Sequence, residues 1–118
     1  MIDLNESWTA YRDRVFREQL TSVKLHCTFY GMSIPDHMHD GLARFIAHGT
    51  IPGSFLQAVL SNNLKEAVAQ ADSVNMFILP AYANWLYNHT PSEAQGSMEK
   101  MQEWHSIGGL VGKEPKDG

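Results

Sequence analysis

The sequence predicts a mainly α protein, a compact bundle of five to six short helices with one short N-terminal strand over residues 23–30. Three observations carry that expectation. Apolar side chains recur three and four residues apart through most of the chain, the spacing of helix faces that pack on a core. Proline and glycine punctuate the centre at Ile34-Pro35, His48-Gly49 and Ile51-Pro52-Gly53-Ser54. Proline suits a first helical turn, and glycine the left-handed residue just past the last. One stretch, Val23 to Tyr30, changes instead to a two-residue alternation.

With 118 residues the chain is long enough for one domain with its own core, and 43% hydrophobic against 19% charged residues is the balance of a folded chain. The expected organisation is an N-terminal helix plus strand or arm over residues 1–32, a helical core over 33–111 that forms one domain with it, and a disordered tail over 112–118. A net charge of −4 argues against direct nucleic-acid binding, which calls for a basic surface against phosphates. No apolar run reaches the roughly 20 residues that a membrane-spanning helix needs, and the start MIDLNESW lacks the features of a secretory signal. Cys27 is the single cysteine, so no internal disulfide can form. A reducing, cytoplasmic setting and no membrane partner are expected.

Residues 4–20 form the first amphipathic helix, with Leu4, Trp8, Tyr11, Val15, Phe16 and Leu20 on one side and Asp3 or Asn5 as its cap. Asp13 with Arg17, and Arg14 with Glu18, are four apart and pair along the exposed side, each pair contributing only about 0.2–0.5 kcal/mol. In the segment 23–30, Val23, Leu25, Cys27 and Phe29 alternate as in a strand. A lone strand leaves backbone groups unpaired on both edges, so it needs Ile107–Val111 or a second copy of the chain beside it; otherwise the segment extends the first helix or packs as an arm.

The next helix starts at Ile34-Pro35, ends at His48, and turns Met38, Leu42, Phe45 and Ile46 to the core. A short helix follows over Phe55–Leu60, and a third over Leu64–Ala71, in which Leu64, Val68 and Ala71 continue the apolar face and small Ala67, Ala69 and Ala71 allow close approach to a neighbour. Asn62 and Asn63, between them, cap and turn the chain, or their amides line a binding groove. Ser73 caps a helix over Val74–His89 that carries Phe77, Ile78, Ala81, Tyr82, Trp85 and Leu86 inward; Pro80 either kinks it or begins the true helix after a single turn. Ser92–Gly96 is a loop. Ser97 then caps a last helix with Met98, Met101 and Trp104 as its apolar face and Gly108-Gly109 as its stop.

Two groups of residues stand out as candidate contacts. His37, Asp40, Arg44 and His48 fall in one stripe of the helix over 34–48, beside Gly41. Arg44 between two imidazoles suits a phosphate or carboxylate, since its planar fork matches paired oxygens; alternatively it pairs with Asp40 and the stripe is a solvated face. On the helix before His89, Asn84, Trp85, Tyr87 and Asn88 have the amphipathic character of interface anchors, although Trp and Tyr also build ordinary cores. A metal site at His37 and His39 is not expected, because side chains two apart on a helix diverge.

The run I-P-x-x-M-x-x-G-L-x-R-x-I-x-H-G-x-x-P-G-x-F-L-x-A-V-L at residues 34–60, with W-L-Y-N-x-x-P at 85–91, resembles a family of small bacteriophage and prophage proteins with no agreed activity. The likeness covers roughly residues 33–104, with Ala94-Gln95 standing where the family has Cys-Trp and the first 32 residues as an addition. The resemblance implies a mobile-element origin, in which proteins of this size commonly bind a host protein or a host signal.

No catalytic motif is present: Ser54 starts a helix, no glycine loop follows a strand, and His37 and His48 are separated by about 16 Å along one helix. No enzyme, cofactor or metal is therefore expected. The first functional expectation is an accessory protein that binds and inhibits a host macromolecule, such as a bacterial defence component, through the Trp85 helix and the polar stripe. The others are a binder of a small anionic ligand, such as a nucleotide signal, at Arg44, His37 and His48, and a module that forms a homodimer through the 23–30 strand.

Overall fold

The computed structural model describes residues 5–115. Among them are seven α-helices and one two-stranded hairpin: α1 Trp8–His26, β1 Thr28–Phe29, β2 Met32–Ser33, α2 Asp36–His48, α3 Ser54–Leu60, α4 Leu64–Gln70, α5 Ser73–Phe77, α6 Leu79–His89 and α7 Met98–Ile107. The fold is a small helical bundle with a short strand segment.

Helix α1 begins later and ends later than its apolar stripe predicts. Ser7 caps it, accepting from the Ala10 N–H, while the expected cap Asp3 and face residue Leu4 lie outside the described residues. Its last turn takes Val23–His26, so half of the expected strand is helix. Phe16, Leu20, Val23 and Cys27 are spaced four, three and four apart, a helical stripe hidden inside the alternation; Val23 is wholly buried and Leu25 is 72% exposed. The strand proper is two residues long and pairs antiparallel with β2 in the same hairpin, not with residues 107–111. Tyr30 and Gly31 turn it with φ of 49° and 79°, the left-handed pair that a two-residue hairpin requires.

Helix α2 is the centre of the molecule. Leu42, Phe45 and Ile46 are fully buried and Met38 half-buried, and Ala43, Ala47 and His39 are buried as well, because α1 covers a second flank. The far end of α2 is closed by the end of the chain. Gly49 takes the left-handed C-cap at φ 73°, the Trp104 indole N–H reaches the carbonyls of Phe45 and Ile46, and the Leu110 and Val111 N–H groups donate to Ile46 and Ala47. Carbonyls that a helix C-terminus leaves without partners are satisfied in this way by residues of the last helix and the turn after it.

The long helix read over 74–89 is two helices. Asp72, not Ser73, caps α5, and the chain breaks at Ile78, so that Pro80 is the second residue of α6, where its missing N–H costs nothing. That break turns Phe77 outward, 77% exposed, against the inward expectation. In α4 only Ala67 is buried, and Leu64 and Val68 stand 69% and 40% exposed, so they do not continue the core. Met98 likewise leaves the apolar face of α7, which Met101 and Trp104 hold. Ser92–Ala94 forms a single 3-10 turn within the expected loop. Residues 112–115 are irregular, and the rest of the expected tail lies outside the described residues.

Candidate functional site

The polar stripe of α2 is mostly occupied by contacts within the fold. Arg44 Nε donates to Asp40 at 2.7 Å, and its guanidinium lies 4.4 Å from the Phe16 ring centroid. His48 Nε2 is 2.9 Å from the Arg12 carbonyl and its ring tilts against Phe16. The lower half of the stripe is therefore part of the α1–α2 seam, with a cation over an aromatic face in the middle of it. His37 and Asp40 remain exposed. The residue that periodicity passed over is His39. It is 2% exposed, and its Nε2 stands 2.8 Å from the Ile34 carbonyl, so this nitrogen carries the hydrogen when the ring is neutral, tying the first turn of α2 to the end of the hairpin.

The α6 group separates into three roles. Trp85 is wholly buried and is no contact surface; it fills the core beside Tyr82 and Leu86. Tyr82 is also buried, its hydroxyl donating to Asn75 Oδ1 at 2.6 Å, and burial, with the Asp72 carboxylate adding to it, pushes that hydroxyl well above its ordinary pKa. Asn88 Nδ2 donates to the carbonyl and side-chain oxygens of Asn84, a bond along one helix face. Tyr87 is the open aromatic of the group, at 86% exposure, and Asn88 beside it is exposed as well.

Tyr87 borders a groove of about 480 Å³ between the α3–α4 corner and α6. Its apolar walls include Val59, Leu64 and Ala67 on one side and Leu79, Ala83 and Leu86 on the other. Asn62, Asn63 and Gln95 supply amides, and no charged side chain takes part in the lining. Local chemistry sets this shape. Asn62 adopts φ 59°, a conformation asparagine tolerates, and Asn63 caps α4 through the Glu66 N–H. Together they swing α4 away from α3, and the Gly96 N–H bonded to the Leu60 carbonyl at 2.8 Å ties the 3-10 turn to the end of α3. The sequence flagged the two asparagines as possible groove residues, but not the apolar walls, since periodicity shows a stripe without showing which part of it a neighbour covers.

Among the described residues no group of three His, Cys, Asp or Glu side chains is placed to hold a metal ion, and no helix is long and apolar enough to cross a membrane. Compared with protein-family models, curated proteins and solved structures, the chain matches none.

Proposed function

We propose that this chain is a phage-type accessory protein that seats an apolar helix of a host protein in the groove between α4 and α6, and so inhibits it in the bacterial cytoplasm. A component of a bacterial defence system is the kind of target that fits such a role. The observation that carries the reading is the uncharged groove with Leu64 and Tyr87 at its edge, 69% and 86% exposed. Large apolar side chains left open around a concave apolar surface mark a contact face, and tyrosine is among the residues that dominate binding energy. A helix lays side chains at i, i+3 or i+4, and i+7 into a groove of this kind, and an uncharged lining calls for an uncharged face on the partner.

Two further observations favour this surface over the others considered. The charge of Arg44 is already met by Asp40, and His48 holds a backbone carbonyl, which leaves little of an anion site. The strand that would join two copies has its partner in its own hairpin.

The test uses the full chain as bait in host lysate, beside a Leu64→Asp/Tyr87→Asp double variant with an unchanged circular-dichroism spectrum. A host protein held in stoichiometric amount by the wild type and released by the variant supports the reading. A partner retained equally by both, or a co-purified small molecule in place of a protein, overturns it.

A further inference from the structure

His26 is the last residue of α1 and His89 the last of α6, and their rings stack face to face, with centroids 3.8 Å apart and planes 6° from parallel. The sequence gives no hint of this pairing, since the two residues lie 63 positions apart (89 − 26). The contact sits where the β-hairpin leaves α1: Cys27 follows His26 directly, its carbonyl accepts from the Ile34 N–H at 3.0 Å, and β1 and β2 both lie against α6. The two rings therefore join three elements at one point.

We propose that the His26–His89 stack is a pH-sensitive clasp, holding the end of α1 and the hairpin against α6 while at least one ring is neutral and releasing them when both are protonated. Two neutral imidazoles stack without penalty, and a single imidazolium over a neutral ring is favoured. Two imidazolium ions at this distance repel. Among the described residues no acidic side chain forms an ion pair with either ring. The last two turns of α1 offer Lys24 and no acidic residue, the hairpin offers Cys27 and Tyr30, and α6 offers Tyr82, whose hydroxyl is committed to Asn75, and Tyr87. The nearest acidic residue after α6 is Glu93, which accepts from the Ser92 hydroxyl. Both histidines occupy last turns, where the helix dipole favours the first proton but cannot neutralise two.

Burial, and then the charge of His26, hold the His89 imidazole below its ordinary value. A depressed histidine means that the folded state takes up its proton less readily than the unfolded chain. The stability this ring contributes is thus complete above the ordinary value of about 6.5, and is lost as the pH falls through the lower folded value.

The experiment is amide exchange by nuclear magnetic resonance on the full chain at pH 7.5 and pH 5.0, corrected for intrinsic exchange, with imidazole resonances followed across the same range. In the wild type the hairpin amides, Ile34 among them, should lose protection about tenfold for each unit by which the second protonation is disfavoured, while the α2 core amides keep theirs. His26→Phe keeps a stacked ring that cannot titrate, and should hold hairpin protection at pH 5.0. If that variant fails to fold, the wild-type imidazole curves still decide: two separated steps for His26 and His89 support the clasp. Hairpin protection unchanged at pH 5.0, or lost equally in His26→Phe, or a single unperturbed step for both rings, overturns it.

Discussion

Replacing Gly109 by alanine should be among the most damaging single changes in the molecule. Gly109 sits at φ +68°, and a Cβ built there would lie 2.5 Å from the Gly49 nitrogen and 2.8 Å from the carbonyl carbon and oxygen of Ala47, all backbone atoms. A left-handed conformation costs a residue with a side chain about 1–2 kcal/mol. The clash cannot be relieved by a rotamer, so the turn must move off α2, loosening the bonds from the Leu110 and Val111 N–H groups to Ile46 and Ala47. Each buried carbonyl left unpaired costs about 1–3 kcal/mol. The sum is about 3–8 kcal/mol, a large share of the roughly 5–15 kcal/mol that holds a small domain together. Gly112 gives the control. It has a similar φ of +74°, yet a Cβ there meets nothing closer than 3.9 Å, so Gly112→Ala should lose only the conformational part. Urea unfolding followed by circular dichroism measures both. Equal losses in the two variants would refute the steric account of the Gly49–Gly109 contact.

Other expectations follow from the same contacts. Leu64→Ala should change stability by less than about 0.5 kcal/mol, as the side chain is largely exposed, yet weaken the captured partner about fivefold or more in calorimetric titration. Tyr30→Asn should raise the unfolding free energy by about 0.5–1 kcal/mol, because Tyr30 is 89% exposed at φ 49° and asparagine tolerates that backbone better; a thermal melt that falls instead would point to a contact of the ring that matters. Of the histidines in α2, His39→Leu should cost about 1–3 kcal/mol by leaving the Ile34 carbonyl unpaired, whereas His37→Ala should stay within about 0.5 kcal/mol, a contrast read from denaturant midpoints. Arg44→Ala should lose at most about 1–2 kcal/mol, since its ion pair is exposed and its ring contact modest, and that loss should shrink in Phe16→Leu.

Helix positions and stops were legible because they rest on local chemistry. Gly49 and Gly108 end α2 and α7 in left-handed conformations, and Ser97 caps α7, each as its residue type dictates. The i,i+4 pairs Arg17–Asp13, Arg14–Glu18 and Arg44–Asp40 all form, at 2.7 to 3.0 Å. What local chemistry does not hold is which side of a stripe a distant segment will cover. Leu25, Leu64 and Phe77 look like core residues by composition and stand in solvent, while His39 looks like a surface residue and is buried. Trp85 admits both the inward and the anchor reading for the same reason: its amphipathic ring fits both an interface and a core, and only the packing of α6 decides for the core. The groove is the product of such decisions at Leu64, Leu86 and Tyr87 together, so its asparagines were visible and its walls were not.

The closing of α2 by Trp104, His105, Leu110 and Val111 also orders events in time. Bonds from Trp104 and His105 to α2 and its cap span 56 to 59 residues of chain. A polypeptide still on the ribosome can wind α2 and bring α1 against it, but cannot close the carbonyl end until the last helix has emerged. Until then the two residues that should anchor the core, Phe45 and Ile46, sit beside open acceptors at a frayed terminus. The slow step of folding should therefore be the docking of α7, and a nascent chain halted before Trp104 should be digested by protease as readily as an unfolded one.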